Sequence, residues 1–235
     1  MFPIHDTIPS RRVPLVNYLL ILLNALVFLY ELGLGSNEVL YFFHRFGLVP
    51  LRFSDPAAAQ SLGWLDYYPF LTNMFLHGGW AHFVGNMWTL WIFGDNVEDR
   101  MGRGGYLLFY LLCGLIASWA HYMLNLDSDV PALGASGAIS GVMGAYMFLF
   151  PRSRIVFLVP IFFFPYFFEI SAFFYIGVWF LGQLYSGTAF LMTGSSAASI
   201  AFWAHIGGFV AGVLLFRFFD KGPDEEELPY EEHYG

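Results

Sequence analysis

Gly134-Ala135-Ser136-Gly137-Ala138-Ile139-Ser140-Gly141 sets one serine among small residues, at the mouth of an apolar run that continues to Phe150. A hydroxyl in that setting points to chemistry done inside a membrane. The rest of the chain agrees. Of its 235 residues 57% are hydrophobic and only 12% charged, with a mean hydropathy of +0.58. Soluble domains carry about 25% charged residues. The chain reads as one polytopic membrane domain, with six spans at about 14–32, 80–97, 105–124, 136–150, 170–190 and 200–219. A full crossing takes about 20 residues, so the fourth span is short and Ser136 is expected below one membrane surface. Residues 155–168 are apolar but brief, and Pro160 and Pro165 interrupt any helix there. They are expected to form an interfacial or re-entrant connection.

Charge sets the orientation. With six spans and both termini in the cytoplasm, Arg11, Arg12, Arg100, Arg103, Arg152, Arg154, Arg217 and Lys221 fall inside, and only Arg45 and Arg52 fall outside. That is a positive-inside pattern. It predicts a cytoplasmic segment 1–13, a membrane domain 14–219 and an acidic cytoplasmic tail 220–235, a solvated end holding 7 of the 18 acidic residues. The Arg11-Arg12 pair precedes a run too long for a cleaved leader, so the first span is expected to be retained. No basic patch suits nucleic acid. The single Cys113 excludes a disulfide framework and is expected to be a packing residue.

Four polar residues share one depth below the outer surface: His82 and Asn86 in the second span, Ser136 opening the fourth and His205 early in the sixth. Polar groups in a membrane are costly and face a bundle interior or a wet cavity. Their types suit acyl transfer. Histidine is the usual base for a serine nucleophile. The Ser136 N–H is one of the unpaired donors at a helix start, where it can meet an oxyanion. His82 and Asn86 share a helix face and can add donors. No acidic residue lies at that depth, so a Ser136–His205 dyad is expected rather than a triad, and what orients His205 is left open. Gly137/Gly141 and Gly208/Gly212 form small faces that let the fourth and sixth helices approach closely. The histidines lack an HExxH pattern and a nearby carboxylate, so no metal or other cofactor is expected.

These motifs together resemble the rhomboid intramembrane serine proteases of the six-span prokaryotic kind, over about residues 14–219. Gly134-Ala135-Ser136-Gly137 matches the family's GxSG, and Ala204-His205-Ile206-Gly207-Gly208 its histidine segment. His77, His82 and Asn86 match HxxxxHxxxN, and Gly94, Glu98 and Gly102 match GxxxExxxG. The resemblance implies an all-α bundle of six transmembrane helices in the cell membrane. Its active site opens on the extracytoplasmic side, and its substrates are single-span membrane proteins. It further implies Ser136 as nucleophile, His205 as general base, and the Ser136 N–H, His82 and Asn86 at the oxyanion, with His77 and Gly134 as site support. Lateral entry past the fifth span, capped by residues 187–199, comes from the same source. Two departures stand out. The first loop reads Tyr67-Tyr68-Pro69-Phe70 where many members carry Trp-Arg, and Ser140 replaces an aromatic that stacks on the catalytic histidine in some members. A catalytically dead, rhomboid-like binder of membrane helices is the alternative, but such proteins typically lose the serine or histidine, and both are present here. A transporter should show paired mid-membrane charges and related halves, and neither is evident. The sequence names neither substrate nor oligomeric state.

Overall fold

The computed structural model describes residues 2–193 and 202–222. The major helices are α1 (Leu15–Leu32), α2 (Ser36–Phe46), α3 (Trp80–Met123), α4 (Ser136–Leu149), α5 (Ala172–Thr193) and α6 (Phe202–Phe219). Three of them, α1, α3 and α6, are long and apolar enough to cross a membrane, and α4 is a shorter apolar helix. The molecule is mostly helical. Helix α4 is its centre: from Gly137 to Met147 every residue is buried, enclosed chiefly by α3 and α6.

Helix α3 breaks at Gly102, whose φ of 69° and ψ of 160° lie outside the helical region. A side chain is strained there, which is why glycine makes the bend. The two arms, 80–101 and 103–123, fold back so far that a Cβ on Gly94 would lie 2.6 Å from the Tyr106 hydroxyl and 2.2 Å from Oδ1 of Asn17. Glu98 accepts from the backbone N–H groups of Val16 (3.1 Å) and Asn17 (2.7 Å). Those donors have no partner within α1, because a helix leaves its first N–H groups unpaired. Within the Gly94–Glu98–Gly102 pattern, the first glycine therefore permits close approach, the glutamate caps α1 and the second glycine makes the bend.

The acidic tail assigned to 220–235 begins as ordered structure. Asp220 pairs with Arg100 through Nε (3.0 Å) and Nη2 (2.8 Å), and the Lys221 N–H donates to the Arg100 carbonyl. Residues 223–235 lie outside the described residues.

The all-α expectation needs correction. Residues 155–168, expected as an interfacial or re-entrant connection rather than a seventh span, lie in an antiparallel sheet of β1 (Phe2–Asp6), β2 (Arg154–Ile161) and β3 (Phe164–Ser171), in that order. The prolines that exclude a helix pair with each other, Pro160 opposite Pro165, beside a two-residue turn at Phe162 and Phe163. Ile155 and Phe157 alternate inward and are buried, as a half-buried strand requires. At the tip Phe162 and Phe163 are 94% and 97% exposed. The sheet spans two helices. Trp88 on the first arm of α3 donates to the Pro3 carbonyl (2.6 Å), and Phe157 packs against Tyr175 of α5.

Between α1 and α3 the chain is tied down by aromatics rather than by a Trp-Arg pair. Phe53 and Phe70 meet at 5.1 Å, Phe70 contacts Tyr122, and the Tyr68 hydroxyl donates to the Arg45 carbonyl (2.9 Å).

Candidate active site

Ser136 is the first residue of α4. The turn before it holds Gly134 at φ 123°, and the Gly134 N–H donates to the Asn73 carbonyl (2.9 Å). A Cβ on Gly134 would lie 2.5 Å from Nε2 of His82. Glycine is required here twice over, by backbone conformation and by the imidazole against it.

His205 lies in the first turn of α6. Its position depends on how closely that helix meets α4. A Cβ on Gly208 would fall 1.9 Å from the Gly137 carbonyl oxygen, and one on Gly212 would fall 2.0 Å from that of Gly141. The two expected small faces are in backbone contact. Across this junction the Ser136 hydroxyl and Nε2 of His205 are 2.7 Å apart. Cys113 is buried against Gly141 in the same region.

His82 and Asn86 lie one turn apart on the first arm of α3. Together with Ser136, His205, Met143, Tyr175 and Trp179 they line a cavity of about 280 Å³. Nδ2 of Asn86 is buried there without a hydrogen-bond partner among the described residues. An unpaired buried donor costs about 1–3 kcal/mol, and an arriving acceptor would satisfy it. Ser136, His205, His82, Asn86 and Gly134 are thus brought together.

His77 stands beside this group. Its backbone N–H faces the Glu31 carboxylate of α1 (3.2 Å), and its ring packs edge-on to His82 with centroids 5.2 Å apart. Burial, helped by the neighbouring His82, pushes its imidazole down to about 3, so it is neutral at ordinary pH.

Two residues that sequence reasoning missed hold the other face of His205. Nδ1 lies 2.7 Å from Oε1 of Gln183, and the Trp179 ring lies 5.9 Å from the imidazole at 38°. Both come from α5, which is held to α6 by Phe180 stacked on Phe209 at 4.1 Å. Trp179 supplies the aromatic contact absent at position 140. Ser140 instead donates back to the Ser136 carbonyl (2.6 Å), as a helical serine commonly does. Gln183 is a lone amide in an apolar run, a signal that a search for polar residues inside the spans could have found. Of the expected cap at 187–199, residues 187–193 continue α5 and the remainder lies outside the described residues.

Among known proteins, the family model for the Rhomboid domain matches residues 65–220. The Rhomboid protease GluP of Bacillus subtilis is 39% identical over 93 residues, which cover 40% of this chain and 18% of that protein. Rhomboid protein 1, mitochondrial, of Saccharomyces cerevisiae is 28% identical over 160 residues, 66% of this chain and 42% of that protein. The Putative rhomboid protease YdcA of Bacillus subtilis is 31% identical over 84 residues, 36% of this chain and 42% of that protein. The aligned part is thus less than half the length of each of these relatives. With the family model matching most of its length, and with this arrangement of apolar helices, the chain is a membrane protein that belongs to the rhomboid family.

Proposed function

We propose that this chain is an intramembrane serine endopeptidase acting through Ser136 and His205. The observation that carries the reading is the 2.7 Å contact between the Ser136 hydroxyl and Nε2 of His205, beside a buried, unpaired Asn86 donor. His205 takes the serine proton as the oxygen attacks a scissile carbonyl. The oxyanion that forms accepts from the Ser136 N–H, Asn86 Nδ2 and His82. His205 then returns the proton to the leaving amine, and a water activated by the same base hydrolyses the acyl-enzyme.

Six spans, with both termini in the cytoplasm, fit the helices and the placement of Lys and Arg. Helix α4, at 14 residues, reaches about 21 Å at 1.5 Å per residue, less than a bilayer core of about 30 Å. On that topology Ser136 lies below the extracytoplasmic surface of the cell membrane, and water enters from that side. The substrates are single-span membrane proteins. A helix hides its backbone, so a cleavable segment must contain a helix-breaking stretch. The cavity is lined by the first arm of α3 and by Tyr175 and Trp179 of α5 as well as by α4 and α6, which supports the seam between α3 and α5 as the entrance.

The test is labelling with a fluorescent fluorophosphonate in detergent, on wild type, Ser136→Ala and His205→Ala. Labelling of the wild type alone supports the reading. A folded wild type that stays dark would sink it and favour an inactive binder of membrane helices.

A further inference from the structure

We propose that Gln183 is the positioning residue that holds His205 in its base-competent tautomer, its amide oxygen accepting a hydrogen bond from Nδ1–H. This rests on the Ser136–His205 reading above. A neutral imidazole carries one N–H, and the nitrogen that bears it is set by the partner of the other. Oε1 of Gln183 can only accept, so at 2.7 Å it requires the proton on Nδ1. Nε2 is then left with its lone pair toward the Ser136 hydroxyl, also at 2.7 Å. The opposite tautomer would aim an N–H at the serine and could not take its proton. Hydrogen bonds at both ring nitrogens, with the Trp179 ring tilted 38° beside the imidazole, also fix the ring's rotation.

The surroundings explain why an amide serves where a soluble serine protease uses a carboxylate. The titratable groups facing His205 are His82, from the first arm of α3, and His121, from the end of the second. Neither is acidic. A carboxylate on an apolar helix would be costly while His205 is neutral, because only a protonated His205 could compensate its charge there. An uncharged acceptor orients the ring without that cost. Trp179 and Gln183 lie four apart on α5, on the face turned to α6, so one helix delivers both contacts.

The experiment compares fluorophosphonate labelling rates against pH for wild type, Gln183→Leu and Gln183→Glu, with thermal unfolding followed in parallel. Folded Gln183→Leu should label about 10- to 100-fold more slowly, the range set by losing a hydrogen bond to a developing charge. Gln183→Glu keeps the acceptor and should label within severalfold of wild type at its plateau. Its acidic limb should move to higher pH, because a carboxylate holds the proton on His205 longer. A residue that only packs helices would leave that limb in place. Wild-type labelling by folded Gln183→Leu, or an unmoved limb in Gln183→Glu, overturns the proposal. If Gln183→Leu fails to fold, the position of the Gln183→Glu limb alone decides. If His205→Ala labels as fast as wild type, the Ser136–His205 reading itself fails and this proposal goes with it.

Discussion

The Gly208→Ala substitution tests whether backbone contact between α4 and α6 sets the catalytic geometry. The added Cβ would begin 1.9 Å from the Gly137 carbonyl oxygen, where real contacts essentially never fall under 3.0 Å and are ordinary only from 3.4 Å. The obstructing atom is backbone, so no side chain can swing away. The helices must separate by about 1.1 to 1.5 Å at that point. Gly137 adjoins Ser136, and Gly208 lies one turn from His205. Most of the separation therefore appears between the Ser136 hydroxyl and Nε2. A bond of 2.7 Å would stretch to about 4 Å, beyond hydrogen-bonding range. Misplacement of about 1 Å costs about 100-fold in rate. The assay is the initial rate of fluorophosphonate labelling, normalised to the folded fraction from thermal unfolding. Overpacking should also cost about 1–3 kcal/mol of stability, which the unfolding curve reads separately. Gly104→Ala is the control. A Cβ there meets nothing within 4 Å, so labelling should be unchanged and stability should rise by about 0.5–1 kcal/mol. A folded Gly208→Ala that labels within twofold of wild type would refute the argument that this contact positions the dyad.

Asn86→Ala removes the proposed oxyanion donor and should slow substrate cleavage about 100- to 1000-fold with little loss of stability, as measured by steady-state proteolysis and unfolding. Glu98→Ala leaves two N–H groups at the start of α1 unpaired and should lower stability by about 1–3 kcal/mol, while labelling per folded molecule stays at the wild-type rate. Asp6 accepts from Asn96 (2.8 Å) and Tyr146, but burial is the larger influence and raises its carboxyl above the ordinary carboxylate value. The folded state then holds the proton more tightly than the unfolded one. Stability from Asp6 is present below the unfolded value and is lost as pH rises through the folded one. Asp6→Asn should flatten that part of the melting-temperature profile against pH, and an unchanged slope would show that Asp6 does not titrate there.

What was legible in the sequence, and what was not, divides along physical lines. Apolar runs report helices because a membrane demands continuous hydrophobic length, and GxxxG reports close approach because only small residues permit it. The approach that brings Ser136 to His205 follows from glycines four apart on two spans, whereas the bend at Gly102 appears only in the structure, the sequence giving no more than a break between the second and third spans. The sheet is not legible either. Its prolines exclude a helix, but the strand completing it comes from residues 2–6, and a pairing across about 150 residues leaves no local mark. The register puts Phe2 opposite Leu158, and the sheet meets α3 at Trp88 and α5 at Tyr175. Gln183 is hidden for a different reason. The familiar orienting group for a catalytic histidine is an acid, and no acid lies at the depth of His205. A neutral amide can accept the same N–H hydrogen bond, so Gln183, the one amide of the fifth span, is legible only to a reading that does not ask for a charge.

Helix α5 carries both contacts that steady His205, and it also forms one wall of the seam through which a substrate would enter. The seam's other wall is the first arm of α3, with Ala81, Gly85 and Thr89 facing Tyr175 and Trp179 across the cavity. Opening the seam by moving α5 would withdraw Oε1 of Gln183 from Nδ1, so admission of a segment and competence of the base oppose each other. On the proposed reading the closed seam would then be the state in which His205 can act as base. Cysteines at Thr89 and Tyr175 joined across the cavity by a thiol-reactive cross-linker with a reducible spacer separate the two functions, and the native Cys113 is buried and would not compete. Locking the seam should abolish cleavage of a single-span substrate yet leave fluorophosphonate labelling of Ser136 at the wild-type rate, since a small reagent reaches the cavity from the aqueous side. Reduction should restore cleavage. Undiminished cleavage after complete cross-linking would place the entrance elsewhere, and loss of labelling would show that the closed seam is not the competent state.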